Sequence, residues 1–468
     1  MPDAAAAVTG RSARLAALRR STAAQSAVVL GIRVAGAVLQ MLLVGAVALR
    51  FSVEGVGLNG VVWAVALVAR MAGTVGVDVM GMRAAAPLWA AGLGGRARAV
   101  AHRDLRAVSA LWGCALGLLL LTCAGMALTH HAWSLVLALG IVAAASAFER
   151  LFVVQRQARG WPVLGQLLES VALPALGLLG VLLAAAFAPH LLVLSQVAAF
   201  VLIAGILWVV SPAGPFSRGP GVPVPPVLGM RGRRRPAGRH RTGVRRRSGG
   251  RHVRGADPRG NGGVEPVPWR SAVIVGAGSA LTALCVRGPM FVLGSSSLAT
   301  AGVYEVAQKV QSGGAMGTSA VSTVFASRIA VALRSPRMLV RLLVQAAGSS
   351  LVLPVGLLVF LLAVGSEGLV RLLGDDYRGA WTAATVLVAA TVVNAVTSSF
   401  SNVLMLGGRE RIFTVISALQ MLIVVGGALV TGARTAETMA MWVLGGEAFR
   451  SLCMAGGLWL HVRNPKTD

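Results

Sequence analysis

Long apolar segments alternate with short polar ones along the whole chain, and twelve of them are long enough to cross a bilayer. The first six lie at 27–50, 57–82, 108–128, 133–150, 167–187 and 191–210, and the second six at 271–293, 302–327, 342–365, 380–406, 412–431 and 438–460. A helix needs about 20 apolar residues to span about 30 Å of hydrocarbon. The pattern therefore predicts an all-α integral membrane protein with twelve transmembrane helices.

The first pair of apolar segments recurs in the second half of the chain. Shifting the sequence by 245 positions superposes 26–57 on 271–302 without a gap, and nine of the 34 positions from Ala24 to Gly57 are then identical. Each copy opens a set of six segments. We therefore predict two six-helix lobes related by pseudo-two-fold symmetry about the membrane normal, an arrangement with which transporters build a site between two bundles.

The charge of the chain follows the same alternation. Lys and Arg number 43 against 16 Asp and Glu, while all charged residues together are only 13% of the chain, about half of the usual share in a soluble protein. The basic stretches are 1–26, 83–106, 150–159, 211–270, 328–341, 409–411 and 461–468. These are every second loop, which predicts that both termini lie in the cytoplasm. Orientation thus accounts for the basic charge, and we expect no nucleic-acid partner.

Five stretches divide the chain. We predict a cytoplasmic tail at 1–26, an N-terminal lobe at 27–210, a linker at 211–270, a C-terminal lobe at 271–460 and a cytoplasmic tail at 461–468. The linker holds fourteen arginines among many Gly and Pro residues, a composition typical of a disordered segment. The same composition arises when a GC-rich gene is read out of frame, and this alternative stays open.

Motifs for catalysis or metal binding are absent from the sequence. It contains no HExxH, paired-Cys or GxSxG pattern, and its four cysteines lie within predicted spans. Gly55-Val-Gly57-Leu-Asn-Gly60 matches GxGxxG formally, but it lies between two membrane helices and not between a strand and a helix, as a dinucleotide site requires. The longest outer loop is 366–379, which leaves little room for catalytic groups. We expect no enzymatic activity, no cofactor and no metal.

The candidate functional residues are the ionisable groups inside the predicted spans. Each costs about 2.5–3.5 kcal/mol on insertion scales, so such groups usually face a cavity or a partner. The basic residues are candidates for binding an anionic substrate, and the acids are candidates for binding a coupling ion. The basic set is Arg33, Arg70, Arg287, Lys309 and Arg450, and the acidic set is Asp78, Glu305 and Glu447.

Several of these residues also fit structural roles. Glu305 and Lys309 are spaced i,i+4, and Glu447 and Arg450 are spaced i,i+3, so each couple fits an ion pair within one helix. Arg33, in the inner half of the first span, fits a side chain that extends its guanidinium group to the lipid headgroups of the inner leaflet (snorkelling). Arg70 has no acid three or four residues away and is predicted near the middle of the second span, so we interpret it as lining a wet, anion-attracting cavity.

Several segments resemble one transporter family. Glu54-Gly-Val-Gly-Leu-Asn59 and Ala301-Gly-Val-Tyr-Glu-Val-Ala-Gln-Lys309 are similar to the turns of polysaccharide and oligosaccharide flippases in the multidrug/oligosaccharidyl-lipid/polysaccharide exporter superfamily. Glu367-Gly-Leu-Val-Arg-Leu-Leu-Gly-Asp-Asp-Tyr377, followed by Ala380-Trp-Thr-Ala, resembles the ninth loop of that family. Asn402-Val-Leu-Met-Leu-Gly-Gly408 resembles the end of its tenth helix. The order and spacing of these segments on twelve spans carry the resemblance.

The resemblance implies a function. A flippase of this family carries an undecaprenyl-pyrophosphate-linked oligosaccharide from the inner to the outer leaflet of the bacterial cytoplasmic membrane by alternating access, for cell-surface polysaccharide biosynthesis. Its partners would be the lipid-linked oligosaccharide, membrane lipids and polysaccharide polymerases or glycosyltransferases. Two alternatives remain: a cation-coupled multidrug exporter of the same superfamily, which should have an acid-rich cavity, and an inactive membrane scaffold.

The predicted topology can be tested with two single cysteines. We expect a cysteine at Ser296 to react with an impermeant maleimide added outside the cell, and one at Ser335 to react only from the cytoplasmic side, because these positions lie in consecutive loops. Labelling of both from the same side would overturn the twelve-span topology.

Overall fold

The structure is a computed structural model that describes residues 28, 31–90, 92–127, 133–159, 162–211, 213, 269–332, 336–406 and 409–463. The N-terminal tail and almost all of the predicted linker lie outside the described residues. The N-terminal half forms α1 Gly31–Arg50, α2 Val53–Ala72, α3 Val77–Ala90, α4 Gly94–Ala127, α5 Trp133–Ala158, α6 Pro162–Leu167, α7 Leu173–Phe187 and α8 Leu192–Val210. The C-terminal half forms α9 Trp269–Ser296, α10 Leu298–Ala332, α11 Pro336–Leu373, α12 Arg378–Leu406, α13 Glu410–Met421, α14 Gly427–Val430 and α15 Ala436–Arg463.

These helices make twelve long passes, and the described residues contain no strand. Ten of the passes are long and apolar enough to cross a membrane. The remaining two, α10 and α15, are long enough but more polar, and each carries an acid and a base in its middle. Helix ends are named below by the predicted topology, with both termini on the cytoplasmic side. The all-α membrane architecture predicted from the sequence is confirmed.

The second pass is broken near its cytoplasmic end, which the sequence did not predict. α2 ends at Ala72 and α3 begins at Val77, and between them Val75 and Gly76 have φ angles of 49° and 74°. A positive φ is strained for a β-branched residue such as Val75. The indole of Trp112 on α4 donates to the Gly73 carbonyl at 3.0 Å, and this contact helps to hold the break.

The ninth pass ends where the sequence predicted. Helical hydrogen bonding runs from Pro336 to Leu373, but Gly365 inside it has φ 67° and ψ −179°. A residue in that conformation interrupts the helix, and glycine adopts it without steric penalty. The membrane helix therefore stops at Gly365, and the following turns form a short helix in the predicted outer loop.

The two lobes meet at their outer ends through a reciprocal backbone contact. A Cβ added at Gly57 of α2 would lie 1.9 Å from the carbonyl oxygen of Leu298, and one added at Gly302 of α10 would lie 2.1 Å from that of Val53. The two glycines are 245 positions apart, and so are the two carbonyls. Each half of the repeat thus makes the same contact to the other half.

Apolar packing surrounds this contact. Tyr377 and Ala380, which follow the ninth pass, are buried in one cluster with Val47, Val56 and Leu192 of the N-terminal half. The outer loop of one lobe therefore packs into the core of the other. The outer ends are closed in this conformation by both backbone contact and apolar side chains.

The cytoplasmic ends meet less symmetrically. A Cβ at Gly76 would lie 2.2 Å from the carbonyl oxygen of Ala272 on α9. Among the described residues the equivalent contact between α1 and α10 is not made at Gly31, whose Cβ position has none of their atoms within 4 Å. Instead, Arg33 of α1 reaches Ser319 of α10 with its side chain.

The reciprocal glycine contact predicts the effect of a side chain at Gly57. Gly57→Val should force the outer ends apart, because backbone atoms of the other lobe leave no space for it. A cysteine at Ala301, which is fully buried, should then react severalfold faster with an impermeant maleimide added outside, in a background without the four native cysteines.

Two further variants control this experiment. Gly302→Val should have the same effect because the contact is reciprocal. Gly117→Val on α4, where a Cβ meets nothing within 4 Å, should leave the labelling rate unchanged. Unchanged labelling in both Gly57→Val and Gly302→Val would show that the contact does not close the outer end.

Candidate functional site

Arg70 lies between two glutamates that come from different helices. Its Nη2 is 2.8 Å from Oε2 of Glu149 on α5, and its Nη1 is 2.8 Å from Oε1 of Glu169. The side chains of Arg70, Glu149 and Glu169 are 13%, 1% and 17% exposed. We call these three residues the N-lobe triad. Arg70 has no acid three or four residues away on its own helix, as the sequence shows, and both partners come from other elements. That Arg70 lines an anion-attracting cavity stays a prediction.

The backbone on both sides of the triad is irregular. Arg70 is seventeen residues into α2, or about 25 Å from its outer end at 1.5 Å per residue, just before the break at Gly73. This is deeper than the mid-span depth predicted from the sequence. Glu169 lies on a π-helical turn, Leu168–Ala172, that joins α6 to α7. Pro174 follows that turn and lacks the N–H that would continue α-helical bonding across it.

Arg33 connects this region to the other lobe. Its Nε donates to Oε1 of Gln166 at 3.2 Å, and its Nη1 donates to the Ser319 hydroxyl of α10 at 2.6 Å. The amide of Gln166 in turn donates to Oε2 of Glu169 at 3.3 Å. Arg33 thus spans the lobe interface through neutral side chains and touches the N-lobe triad only through Gln166.

A second charged cluster lies in the C-terminal lobe. Oε2 of Glu305 on α10 accepts a hydrogen bond from Arg287 of α9 at 2.9 Å. Its Oε1 forms an ion pair at 3.1 Å with Lys309, one turn further along α10. All three side chains are at most 8% exposed. The i,i+4 ion pair predicted for Glu305 and Lys309 is present, and Arg287 joins it. We call these three residues the C-lobe cluster.

The N-terminal lobe contacts the C-lobe cluster at Lys309. The ammonium group is 3.5 Å from Oε1 of Gln40 on α1 and 5.3 Å from the centre of the Trp63 ring on α2. A cation over an aromatic face within about 6 Å is attracted to it. Lys309 is eleven residues into α10, or about 16 Å from its outer end, so the cluster lies at mid-membrane depth on the lobe interface.

The remaining candidates lie in separate places. Glu447 accepts a hydrogen bond from the amide of Gln420 at 2.9 Å. It also pairs with Arg450 at 3.4 Å, which is the i,i+3 ion pair predicted within α15. Asp78, next to the break before α3, accepts hydrogen bonds from the Thr74 hydroxyl at 2.8 Å and from Nε of Arg150 at 3.1 Å. Binding of substrate or ion by any of these residues stays a prediction.

Sequence reasoning missed Glu149 and Glu169. The predicted spans end at 150 and begin at 167, which put both acids at a membrane surface. The structure extends α5 to Ala158 and begins α6 at Pro162, so both acids lie inside the bundle. Their partner Arg70 is 79 and 99 residues away in sequence. A span boundary that moves by five to eight residues is enough to hide such a pairing.

One cavity opens at the outer end between the lobes. It has a volume of about 360 Å³, and its wall includes Val53 of α2, Val303 of α10, Asp376, Arg434 and Glu437. Its lining does not include any residue of the C-lobe cluster. No group of His, Cys, Asp or Glu side chains suited to a metal ion occurs within the described ranges.

This fold is similar to that of solved transporters of the MOP superfamily, the multidrug/oligosaccharidyl-lipid/polysaccharide exporters. The chain is similar to the structure titled "Lipid II flippase MurJ, inward closed conformation", with a TM-score of 0.62 and 11% identity over 91% of this chain and 86% of that one. This likeness confirms the predicted fold of two helical lobes. No protein-family model matches the sequence, and no curated protein matches it.

Two other structures of the superfamily align as fully. An inward-facing multidrug resistance MATE family transporter has a TM-score of 0.58 and 14% identity, over 94% of this chain and 98% of that one. A MOP superfamily transporter from Pyrococcus furiosus, described as having a binding pocket of reverse polarity, has a TM-score of 0.57 and 14% identity, over 94% and 95%. At such identities the likeness establishes the fold, and the substrate must be argued from the site.

The N-lobe triad predicts that Arg70 supports folding. Arg70→Ala would leave two buried carboxylates facing each other, and removing one partner of a buried ion pair destabilises by about 3–5 kcal/mol. We expect a lower unfolding temperature for the purified variant.

A variant that lacks all three charges of the triad tests whether the lost pairing causes the loss of stability. Arg70→Met combined with Glu149→Gln and Glu169→Gln removes all three charges and should recover most of the lost stability. An Arg70→Ala protein as stable as the unsubstituted chain would show that the pairing contributes nothing to folding.

Proposed function

We propose that the chain moves an undecaprenyl-pyrophosphate-linked oligosaccharide from the cytoplasmic to the outer leaflet by alternating access, for the synthesis of a cell-surface polysaccharide. The observation that carries this proposal is the excess of positive charge at the lobe interface. In the C-lobe cluster, Arg287 and Lys309 share the single carboxylate of Glu305. Arg33, at the inner end of the same interface, donates to the neutral groups of Gln166 and Ser319.

This charge suits a pyrophosphate. Two phosphoryl groups bring negative charge into a region of low dielectric constant, where only fixed positive charge and hydrogen-bond donors offset the lost hydration. Arg33 near the cytoplasmic end and Lys309 at mid-membrane depth would receive the headgroup in succession as it crosses. The lipid tail would remain in the bilayer while the headgroup follows the interface.

An excess of negative charge at the lobe interface would instead favour a multidrug exporter. An exporter of organic cations needs excess negative charge where the lobes meet, because the cation must be neutralised as it leaves water. The interface at Lys309 instead presents an ammonium group, an indole ring and the amide of Gln40. A multidrug exporter is therefore the weaker reading of this site.

The lobes are in contact at both ends of their interface. The outer ends meet through the glycine contact and Tyr377. The cytoplasmic ends meet through Gly76 and Ala272, and through a buried apolar cluster that joins Val77 to Val275. In the proposed cycle the cytoplasmic contacts would separate to admit the substrate.

Lys309→Met tests the proposal while leaving the remaining charges paired. Without Lys309, Arg287 and Glu305 still form an ion pair, so the protein should fold while the excess positive charge is lost. We expect transport of a pyrophosphate-linked lipid oligosaccharide in proteoliposomes to fall at least about tenfold, or about 1.4 kcal/mol. In cells the substrate should accumulate in the inner leaflet.

The matched control is Arg378→Gln. It removes one positive charge from an exposed outer position, where Arg378 pairs only with the exposed Asp375, and it should leave transport unchanged. Undiminished flipping by Lys309→Met would overturn the role of the C-lobe cluster. Efflux of organic cations by the unsubstituted protein, without flipping, would favour the multidrug exporter.

A further inference from the structure

The N-lobe triad has an unbalanced charge. It contains one guanidinium group and two carboxylates, each of which is 2.8 Å from the guanidinium group. If both carboxylates are ionised, the contacting groups carry a net charge of −1. A net charge buried among apolar helices is costly, because the low-dielectric surroundings do not replace its hydration. A bound cation would remove that cost.

One carboxylate oxygen of the triad is free to accept a cation. Oε1 of Glu149 is buried and has no hydrogen-bond partner among the described residues. The other three oxygens are used: Arg70 takes Oε2 of Glu149 and Oε1 of Glu169, and the amide of Gln166 takes Oε2 of Glu169. The unbalanced charge and the free oxygen therefore point to the same group.

The charged groups on the elements packed around Glu149 do not provide a further base for its free oxygen. The π-turn presents Glu169, which raises the local negative charge, while Arg70 of α2 is already shared between two acids. On its own helix α5, the neighbouring Arg150 is engaged by Asp78 of α3. From α4, Asp104 is buried towards the cytoplasmic end and is engaged by Arg103. α6 and α8, which also pack on α5, have no charged residue.

Glu149 is a better acceptor than Glu169. Its side chain is 1% exposed, whereas that of Glu169 is 17% exposed, so ionised Glu169 retains more hydration. A proton requires only one free oxygen, whereas hard metal cations such as Ca²⁺ require about six or more oxygen ligands. The single free oxygen therefore selects a proton.

We propose that Glu149 carries a proton on Oε1 in this outer-closed conformation and is the proton-binding group that couples transport to pH. The acids suggested by the sequence, Asp78, Glu305 and Glu447, each have a basic partner of their own, so their charge is balanced locally. Glu149 shares its base with a second acid. The proposal concerns the coupling ion and does not depend on which lipid or drug is carried.

The geometry of α2 links this proton to the movement of the lobes. The same helix carries Arg70 at its inner end and Gly57, which contacts the other lobe, at its outer end. A rotation of α2 during opening would change the distance between Arg70 and Glu149. Moving the guanidinium group closer would favour release of the proton, and moving it away would favour binding.

Infrared spectroscopy of the purified full-length protein tests the assignment without any substrate. A pH titration followed by difference spectra should show the carbonyl-stretch band of a buried protonated carboxyl group, which disappears as the pH rises. We expect this band to be absent from Glu149→Gln. It should persist in the control Glu437→Gln, which alters a carboxyl group at the outer cavity. In Glu169→Gln it should disappear at a lower pH than in the unsubstituted protein, because removal of the second acid balances the charge of the triad.

Several outcomes would overturn the proposal. A band that persists in Glu149→Gln, or one that is absent only from Glu169→Gln, would place the proton elsewhere. Absence of any titrating carboxyl band from the unsubstituted protein would show that the triad holds no proton. If Glu149→Gln does not fold, Glu149→Asp keeps the acid and should shift the midpoint of the band, whereas an unshifted midpoint would contradict the assignment. These results leave the proposed substrate untouched.

Discussion

The need to pair charges inside an apolar medium determines how the helices of this protein are held together. Arg70 is bonded to acids on two other elements, and Arg287 is bonded across to α10. An unpaired charge in hydrocarbon is expensive, so these contacts fix the rotation of each helix about its axis. Helices with small, smooth side chains such as Ala, Val and Gly would otherwise have little to specify their orientation.

The C-lobe cluster and the N-lobe triad differ in net charge and in their position relative to the lobe interface. The C-lobe cluster holds two bases and one acid and lies against the opposite lobe at Gln40 and Trp63. The N-lobe triad holds one base and two acids and is enclosed within its own lobe. The charge of these groups is therefore positive at the lobe interface, where we propose that the substrate crosses, and negative within the N-terminal lobe, where we propose that a proton binds. α2 contacts both regions, since it carries both Trp63 and Arg70.

Much of this architecture could be predicted from the sequence, because it depends on local patterns. Apolar length predicted the passes, a fixed shift of 245 positions predicted two lobes related by pseudo-two-fold symmetry, and i,i+4 spacing predicted the pair of Glu305 and Lys309. Pairings between distant helices were missed, because Glu149 and Glu169 gave no periodic signal and lay at uncertain span ends. The break at Val75 was missed because glycines such as Gly73 and Gly76 are also frequent inside intact membrane helices.

The reciprocal contact between Gly57 and Gly302 has a meaning for the origin of the molecule. In a two-fold symmetric homodimer, if residue i of one subunit contacts residue j of the other, then residue j of the first also contacts residue i of the second. Gly57 with the Leu298 carbonyl, and Gly302 with the Val53 carbonyl, reproduce that relation within one chain. The lobe interface thus has the form of a dimer interface between two six-helix subunits. Gene duplication and fusion would then have freed the halves to acquire different charges without losing the surface that joins them.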